Sequence, residues 1–287
     1  MSYRLILSSE GGGEVDLYND SDIRLVSIDG VSPEAVVNTV SRYGADGATY
    51  ISSKVDKRDI AITCRYRSAA AELAKLRLYE VCRPKRVVTL RYITNNLDRY
   101  IEGYISSCST PPNVHPMLTQ IQLECPEPYW RDYTSSSMLL YGDSALFEFP
   151  DTGKEFIDNE VEFGNLKTSR ITTITYEGDT DVGITLSVGF NAACGGFTLV
   201  NLDTGEYLTV TAEFLSGDKL TLCTVNGGKY ATLRRNGVDY DYLAKISIDS
   251  TFLQLSPGEN RLKIIADDIT ATGINVLCYY NLLYGGV

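Results

Sequence analysis

The sequence predicts a mainly β protein with two domains and one convincing helix. Short β-rich segments alternate with turn residues along the chain, and helical spacing of apolar residues occurs only near residues 68–83. Charge is also divided unevenly. Residues 1–134 carry 16 Lys and Arg against 17 Asp and Glu (net −1), and residues 135–287 carry 10 against 20 (net −10). We therefore predict a domain 1–134 and a domain 138–287, with the polar stretch 133–137 as the linker.

Strands are predicted on both sides of the helix in the first domain. The segment 50–67 alternates, with Ile60, Ile62 and Cys64 on one face, which is typical of a half-buried strand. Residues 44–47 (Gly-Ala-Asp-Gly) have the composition of a hairpin tip. The other predicted strands are 4–7, 23–28, 86–94, 99–107 and Leu118–Cys125.

The predicted helix follows Ser68, a residue type that caps helix N-termini. It ends before Pro84, because the residue that precedes a proline is disfavoured in the α conformation. The positions that recur at helical spacing are Ala69, Leu73, Leu76 and Tyr79 or Glu80. We expect these positions to form the buried face.

Beyond residue 134 short strands alternate with Gly, Asp and Asn turns, a spacing typical of a β-sandwich or barrel. Residues 226–228 (Asn-Gly-Gly) predict a hairpin between the fifth and sixth of these strands. The predicted strands are Ile171–Tyr176, 184–190, Phe197–Asn201, 207–211, 219–224, 229–233, 262–265 and Ile274–Tyr280.

Several segments follow one another in a specific order along the chain. They are 28–33 (IDGVSP), 44–47 (GADG), the helix end at Arg83-Pro84, 122–130 (QLECPEPYW), 201–206 (NLDTGE), 215–220 (LSGDKL) and 255–260 (LSPGEN). Their order resembles the distal tail (Dit) family of siphophages, and together they extend over nearly all of the chain. The most specific segment is 122–130, which is similar to the Pro-Tyr-Trp segment that closes the family's first domain.

This resemblance implies an N-terminal split β-barrel-like domain that forms a hexameric ring with an open lumen. It also implies a C-terminal galectin-like or jelly-roll β-sandwich outside the ring. The partners implied are further copies of the chain, the tail tube protein, the tape-measure protein, the tail-tip hub protein and receptor-binding proteins. We therefore expect a non-enzymatic structural subunit of a bacteriophage tail tip, or baseplate. It would be assembled in the host cytoplasm, with a lumen for DNA passage.

The segment that closes the first domain contains Pro126, Pro128, Tyr129 and Trp130, to which we assign a structural or interface role. Two prolines fix φ and stiffen the chain. We expect the chain to leave the first domain along a rigid path and to place Tyr129 and Trp130 in an apolar site.

Composition argues against several other functions. No apolar run approaches the roughly 20 residues that a membrane-spanning helix needs, and the N-terminus lacks the features of a signal peptide, so we expect a soluble protein with no membrane insertion. The seven cysteines include no Cys-x-x-Cys pair, which argues against a disulfide framework and a thiolate zinc site. An acidic second domain would repel nucleic acid, so no sequence-specific nucleic-acid binding is expected.

Catalytic, metal and cofactor sites are likewise not expected. His115, the only histidine, lies in a proline-rich loop without a patterned nucleophile. Asp-Thr-Gly occurs at Asp151 and at Asp203, as in aspartic proteases, but the copies are 52 residues apart and the second continues with Glu206. Turns explain both copies better. Residues 11–13 (Gly-Gly-Gly) lack the Lys and Ser/Thr of a phosphate loop. The acidic pairs 267–268 and 239/241 lack the spacing of a calcium loop.

A carbohydrate-binding protein that recognises the bacterial surface is the alternative function. Exposed aromatic rings can stack on sugar rings. The candidates in the second domain are Tyr207, Tyr230, Tyr240 and Tyr242. Tyrosine is equally suited to protein interfaces, and we favour an interface or core role for these residues.

Overall fold

The structure is a computed structural model that describes residues 3–44, 46–67, 71–111, 116–144, 165–167, 171–266 and 273–287. The chain divides into two compact units. The first unit contains Met1–Tyr133 together with Leu283–Val287, and the second contains Thr134–Leu282. The division after Tyr133 lies in the predicted linker, but the last five residues of the sequence, which we had assigned to the second domain, belong to the first unit.

The first unit is built on one large antiparallel sheet. Its main path runs in the order β2-β1-β7-β8-β9-β6-β3, and β10 pairs with both β8 and β24. A separate two-stranded hairpin is formed by β4 and β5. The elements are β1 (Arg4–Ser9), β2 (Gly13–Asp16), β3 (Ile23–Asp29), β4 (Val36–Ser41), β5 (Ala48–Lys54), β6 (Arg58–Tyr66), α1 (Ala71–Val81), β7 (Val87–Ile93), β8 (Asp98–Ser109), β9 (Leu118–Cys125), β10 (Trp130–Asp132) and β24 (Leu283–Tyr284).

The segment 50–67, predicted as one strand, is two strands of different character. β6 lies between β3 and β9 and buries alternate residues, so the predicted shared face of Ile60, Ile62 and Cys64 is confirmed. β5 pairs only with β4 among the described residues, and none of its side chains is buried. The chain therefore leaves the core at residues 55–57, a change of environment that a continuous β-rich pattern does not indicate.

The buried face of α1 differs from the predicted one. Ala74, Leu78 and Val81 are buried, whereas Leu73 and Leu76 are 67% and 55% exposed. Two apolar lines run along this helix, and packing against the sheet selects the line that continues into the buried Cys82. The predicted cap Ser68 and the predicted core residue Ala69 lie outside the described residues.

The second unit is made of antiparallel sheets that bury alternate residues, as expected of a β-sandwich. One sheet has the order β12-β11-β23-β15-β18-β19-β20, a second has the order β13-β22-β16-β17, and β14 pairs with β21. The strands are β11 (Ser136–Ser144), β12 (Asn165–Lys167), β13 (Ile171–Tyr176), β14 (Val182–Gly183), β15 (Thr185–Phe190), β16 (Phe197–Asn201), β17 (Tyr207–Val210), β18 (Lys219–Cys223), β19 (Tyr230–Arg235), β20 (Val238–Asp241), β21 (Gln254–Leu255), β22 (Gly258–Ala266) and β23 (Ile274–Tyr280). β11 begins at Ser136, inside the predicted linker.

Aromatic stacking marks the core of the second unit. The rings of Phe190 and Phe214 lie parallel at 4.0 Å between centroids, and Phe197 packs against both at 6.4 Å. All three side chains are buried, and so is the hydroxyl of Thr224, which accepts from the Ile184 amide at 2.8 Å and donates to the Leu253 carbonyl at 2.7 Å. A hydroxyl group whose hydrogen bonds are all made can be buried in an apolar core, and the loop residue that carries it can then lie there as well.

The mainly β fold class is confirmed, with one α-helix among the described residues. The sheet of the first unit resembles a barrel only loosely, because β2 and β3 stand at the two ends of its main path and do not pair with each other in the described part of the chain. No described helix has the length and apolar character required to cross a membrane.

Candidate assembly site

The hairpin β4–β5 leaves all of its side chains in solvent. The two strands pair from Val36↔Lys54 to Ser41↔Ala48, with a bulge beyond Asn38, and every residue in them is exposed. A lone two-stranded hairpin is marginally stable in water and needs further strands or a packed face to persist. This hairpin is therefore the element of the first unit most in need of a covering surface.

The amino-acid composition of the hairpin β4–β5 is typical of strands that another protein surface covers. From residue 36 to residue 53 the only charged residues are Arg42 and Asp46, both near the tip. Exposed strands normally carry charges, lysine above all, that prevent unwanted pairing. The exposed large apolar side chains of the hairpin and its ends are Val36, Val37, Val40, Tyr43, Tyr50, Ile51 and Val55.

Apolar groups occur on both faces of the hairpin. Successive side chains of a strand point to opposite faces, so Val36 and Val40 lie on one face and Val37 on the other. A single flat partner surface would cover only one face. The arrangement suits a hairpin that inserts between two surfaces or lies along a groove.

Arg58, the first residue of β6, holds the base of the hairpin. Its side chain donates to four backbone carbonyls: Pro128 (2.6 Å), Gly30 (2.8 Å), Ser32 (2.7 Å) and Gly285 (2.6 Å). Arg58 is only 7% exposed, and this burial lowers its pKa below the usual arginine value. The four carbonyl dipoles compensate the cost of burying the cation. They also join three segments that are far apart in sequence.

The segment that closes the first domain has one buried and one half-buried aromatic residue. Trp130 is 0% exposed and belongs to the core of the first unit, whereas Tyr129 and Pro128 are half-buried and Pro126 is exposed. We expected both aromatic residues to enter an apolar site. Only Trp130 does so, because neighbouring residues of an extended chain point to opposite sides.

Tyr129 instead lines a surface groove of about 240 Å³. Ion pairs fix Arg131 at the edge of this groove, at 3.1 Å from Glu102 and 2.7 Å from Glu127. The lining residues are Val87, Glu102, Gly103, Tyr104, Pro126, Glu127, Tyr129 and Arg131. The predicted interface role of this segment stays a prediction.

The four tyrosines considered for sugar stacking are not gathered at one place. Tyr207 lies on β17 in the four-stranded sheet, whereas Tyr230 and Tyr240 lie on the adjacent strands β19 and β20 of the larger sheet. These three are exposed. Tyr242 is half-buried, with its ring 6.1 Å from that of Phe214. Tyr240 is paired with Leu233, which points to the opposite face of β19 from Tyr230, so these two rings cannot act together either.

Asp203 lies in a structural turn. The Asn201 side chain accepts from the amides of Asp203 and Thr204 at 2.9 and 3.3 Å, and Gly205 has a φ of +76°. The Asp203 carboxylate accepts from the Arg261 guanidinium at 2.7 Å, which lowers the pKa of Asp203. A carboxylate held ionised in this way is unsuited to share a proton with a second acid.

The other chemical candidates give no organised site. His115, Asp151 and residues 267–268 lie outside the described residues. Asp239 pairs with Arg234 at 3.8 Å, and Asp241 accepts from the Leu243 amide at 2.9 Å. Within the described ranges, no group of three or more His, Cys, Asp or Glu residues is placed to hold a metal ion.

None of the seven cysteines, which all lie in the described ranges, forms a disulfide, and all except Cys108 are buried. Burial raises the pKa of the Cys64, Cys125 and Cys278 thiols to about 12. These thiols are protonated at neutral pH and act as small apolar groups in the core.

Two features of this site were not predicted from the sequence. Arg58 occupies a buried position of an alternating strand, where an arginine gives no local signal of burial. The exposure of the hairpin was also missed, although the absence of charge between residues 36 and 53, apart from the tip, was an available signal.

Two family models match the chain. "Phage tail protein RIFT-related domain" matches residues 10–125, and "Siphovirus-type tail component, C-terminal domain", the model of the SPP1 Dit family, matches residues 177–280. Between them they cover most of both units. The chain belongs to the siphophage distal tail protein family. It is therefore a structural component of a phage tail.

Solved structures share the fold of this distal tail family member. The crystal structure of SPP1 Dit, described as a paradigm of the hub adsorption apparatus in phages that infect Gram-positive bacteria, has a TM-score of 0.68 at 12% identity over 97% of this chain and 98% of that chain. The phage P2 baseplate, activated with Ca, has a TM-score of 0.56 at 9% identity over 98% of both chains. The same baseplate activated with Sr has a TM-score of 0.56 at 9% identity, over 97% and 98%. Comparison with curated protein sequences gave no match.

Proposed function

We propose that this chain forms a ring at the tip of a siphophage tail, with six copies around a lumen through which DNA passes. The ring links the tail tube to the tip hub, the tape-measure protein and receptor-binding proteins, and it assembles in the host cytoplasm. The family membership and the shared fold with SPP1 Dit and the P2 baseplate support this proposal.

The observation that carries the ring proposal is the uncovered hairpin β4–β5. Because both faces bear apolar side chains, a neighbouring copy that received the hairpin would bury them. Such a contact joins two different surfaces of the subunit. Repeated head-to-tail contacts of this kind close into a ring when the rotation between subunits is an integral fraction of a full turn.

The role is assembly and not catalysis. The described residues include no metal-binding cluster, and Asp203, the acid of the second Asp-Thr-Gly segment, is held in an ion pair with Arg261. The charge distribution is consistent with a duct for DNA. The nearly neutral first unit (net −1 over residues 1–134) would not retain DNA, and the acidic remainder (net −10) would repel it.

The ring is tested by placing charge on the hairpin. The double substitution Val37→Asp and Ile51→Asp should abolish the oligomer, because an aspartate buried in an interface without a partner is strongly unfavourable. Both residues are exposed in the single chain, so its melting temperature should not change. Light scattering and negative-stain images measure the assembly.

A matched control is Val238→Asp with Ile248→Asp, two exposed apolar residues of the second unit. This control should assemble normally. An unmodified chain that stays monomeric at every concentration, even with tail-tube protein present, would overturn the proposed function. Equal loss of assembly in the control would overturn the role of the hairpin.

Sugar binding by the second unit is a second candidate, for which Tyr207, Tyr230 and Tyr240 offer exposed rings at separate places. Each ring could stack singly on a pyranose ring. A glycan array with the full chain tests it. Binding that is lost in one of the single variants Tyr207→Ala, Tyr230→Ala or Tyr240→Ala, and kept in the other two, would support this function.

A further inference from the structure

The first unit holds a short segment from the far end of the sequence in a groove, which is formed by β10, Arg58, Arg99 and residues 31–33. This returning segment is Leu283–Val287, which comes after the whole of the second unit in sequence. β24 pairs with β10 through Trp130↔Tyr284 and Arg131↔Leu283. Tyr284 and Val287 also pack against the core cluster of the first unit. The segment is thus bound both as a strand and by its side chains.

Two arginines recognise the glycines of this segment. Arg58 donates to the Gly285 carbonyl at 2.6 Å, and Arg99 donates to the Gly286 carbonyl at 2.7 Å. The Arg99 guanidinium also lies 3.3 Å from the centre of the Tyr284 ring, a cation–π contact. The groove therefore selects an aromatic residue followed by two closely held backbone carbonyls.

The fit at Gly286 leaves no room for a side chain. A Cβ atom at this position would lie 2.8 Å from the Pro33 ring and 3.1 Å from the Val31 carbonyl oxygen. The Val287 amide donates to the same Val31 carbonyl at 3.4 Å. Residues 31–33 are thus one wall of the groove.

Residues 31–33, which form this wall of the groove, come shortly before the hairpin β4–β5 in sequence. Ser32 is four residues before Val36, where β4 begins, and Arg58 binds Gly30, Ser32 and Gly285 at once. A surface pocket of about 220 Å³ is lined on one side by Arg58 and Pro128 and on the other by residues 34–36, where β4 begins. Release of the segment would remove the Gly285 carbonyl, one of the four acceptors of Arg58, and the hydrogen bond from the Val287 amide to the Val31 carbonyl.

We propose that the returning segment is a docked peptide ligand of the first unit, and that its docking holds the hairpin in the orientation that ring assembly needs. The second half of this inference rests on the proposed function. The site recognises a short peptide with the pattern Leu-Tyr-Gly-Gly-Val, which the chain supplies itself. A first unit with an empty groove would keep its sheet but present the hairpin incorrectly.

The test displaces the segment without removing it. In full-length Gly286→Ala the new methyl group meets Pro33, so the segment should leave the groove. Trp130, the only tryptophan, is the reporter, because Tyr284 is its neighbour across the strand pair. We expect a red shift of its emission, several-fold stronger quenching by acrylamide, and ring formation only at higher protein concentration.

The synthetic peptide LYGGV should then occupy the groove and restore both the emission and the ring, whereas LYGAV should restore neither. Gly195→Ala is the matched control, because no atom lies within 4 Å of a Cβ at that position. It should behave as the unmodified chain. If Gly286→Ala fails to fold, Tyr284→Ala, which removes the ring beneath Arg99 without adding volume, is assayed by the same two measurements.

Unchanged Trp130 emission in the displaced variants would overturn the groove. Altered emission with unchanged assembly would overturn the coupling to the hairpin. Trp130 emission reports docking in a single chain, so an unmodified protein that forms no ring would overturn the proposed function and leave the groove supported by the peptide result.

Discussion

Asp218 is a carboxylate with a 2% exposed side chain in the second unit, where it forms an ion pair with Arg235. The Arg235 guanidinium donates to both of its oxygens, and the Leu215 amide donates to Oδ2 at 2.8 Å. The hydrogen bonds from Arg235 hold the pKa of Asp218 below its usual value of 3.8. Since the pKa is lower in the folded chain, the unfolded chain binds the proton more tightly.

The free energy of unfolding should therefore depend on pH through this residue. The contribution of Asp218 is fully present above its usual pKa in the unfolded chain and is lost as the pH falls through the lower pKa of the folded chain. Urea denaturation of the full chain at pH 7 and at pH 3 measures it. In Asp218→Asn the difference between the two pH values should shrink.

Asp203→Asn is the control for this experiment, because Asp203 has the same kind of arginine partner but its side chain is 33% exposed. Solvent screens exposed ion pairs, so its substitution should change the pH dependence less. If Asp203→Asn changes the pH dependence of the free energy of unfolding as much as Asp218→Asn does, burial of the carboxylate is not what determines the effect.

At the scale of elements, α1 shows how one sequence pattern supports two packings. Leu73 and Leu78 are the same residue type on opposite sides of one helix, and only Leu78 is buried. Leu78→Ala should lower the free energy of unfolding by about 2–5 kcal/mol, because it opens a cavity in the core. Leu73→Ala should change it by less than about 0.5 kcal/mol.

Chemical denaturation of the two single variants at a concentration where the chain is monomeric measures this difference. If Leu73→Ala destabilises the chain as much as Leu78→Ala, Leu73 contacts the core, and the helix buries the face that the sequence predicted.

Elements with one apolar and one polar face were predicted correctly from the sequence, and elements without such a difference were not. The alternation of Ile60, Ile62 and Cys64 predicted the buried face of β6, because that strand has one apolar side and one polar side. Leu73 and Leu76 were assigned to the core wrongly, because a helix with apolar residues all around gives no preferred face. The pairing of β24 with β10 was not predicted, since it joins residues more than 150 positions apart, and a local pattern carries no information about such a pairing.

The candidate site was predicted only in outline. Residues 44–47 indicated the tip of a hairpin, and the strands on both sides of it are present. A composition rich in strand-forming residues predicts that the backbone is extended. It does not predict which surface covers the strand. For the same reason Tyr129 and Trp130 could not be distinguished from sequence, although one lines a surface groove and the other is in the core.

At the scale of the whole molecule, the two units have separate cores, so we expect them to unfold separately. Trp130→Ala should lower the stability of the first unit by about 3–5 kcal/mol, because it removes a fully buried indole. The transition of the second unit should not move. Differential scanning calorimetry of the full chain resolves the two transitions.

A fragment of residues 134–282 should reproduce the unmoved transition. A single cooperative transition that shifts as a whole in Trp130→Ala would contradict the independence of the two units, and with it the predicted two-domain organisation.

The return of residues 283–287 to the first unit has a consequence for biosynthesis. A nascent chain normally folds each domain as soon as it emerges from the ribosome. Here the ribosome must add the 149 residues of Thr134–Leu282 before the last strand of the first unit exists, which takes roughly 7–30 s at typical elongation rates. Throughout that interval Trp130 lacks its strand partner and Arg58 lacks one of its acceptors. A translation product that stops before residue 283 would therefore leave β10 without β24 as a strand partner and Arg58 with three of its four carbonyl acceptors.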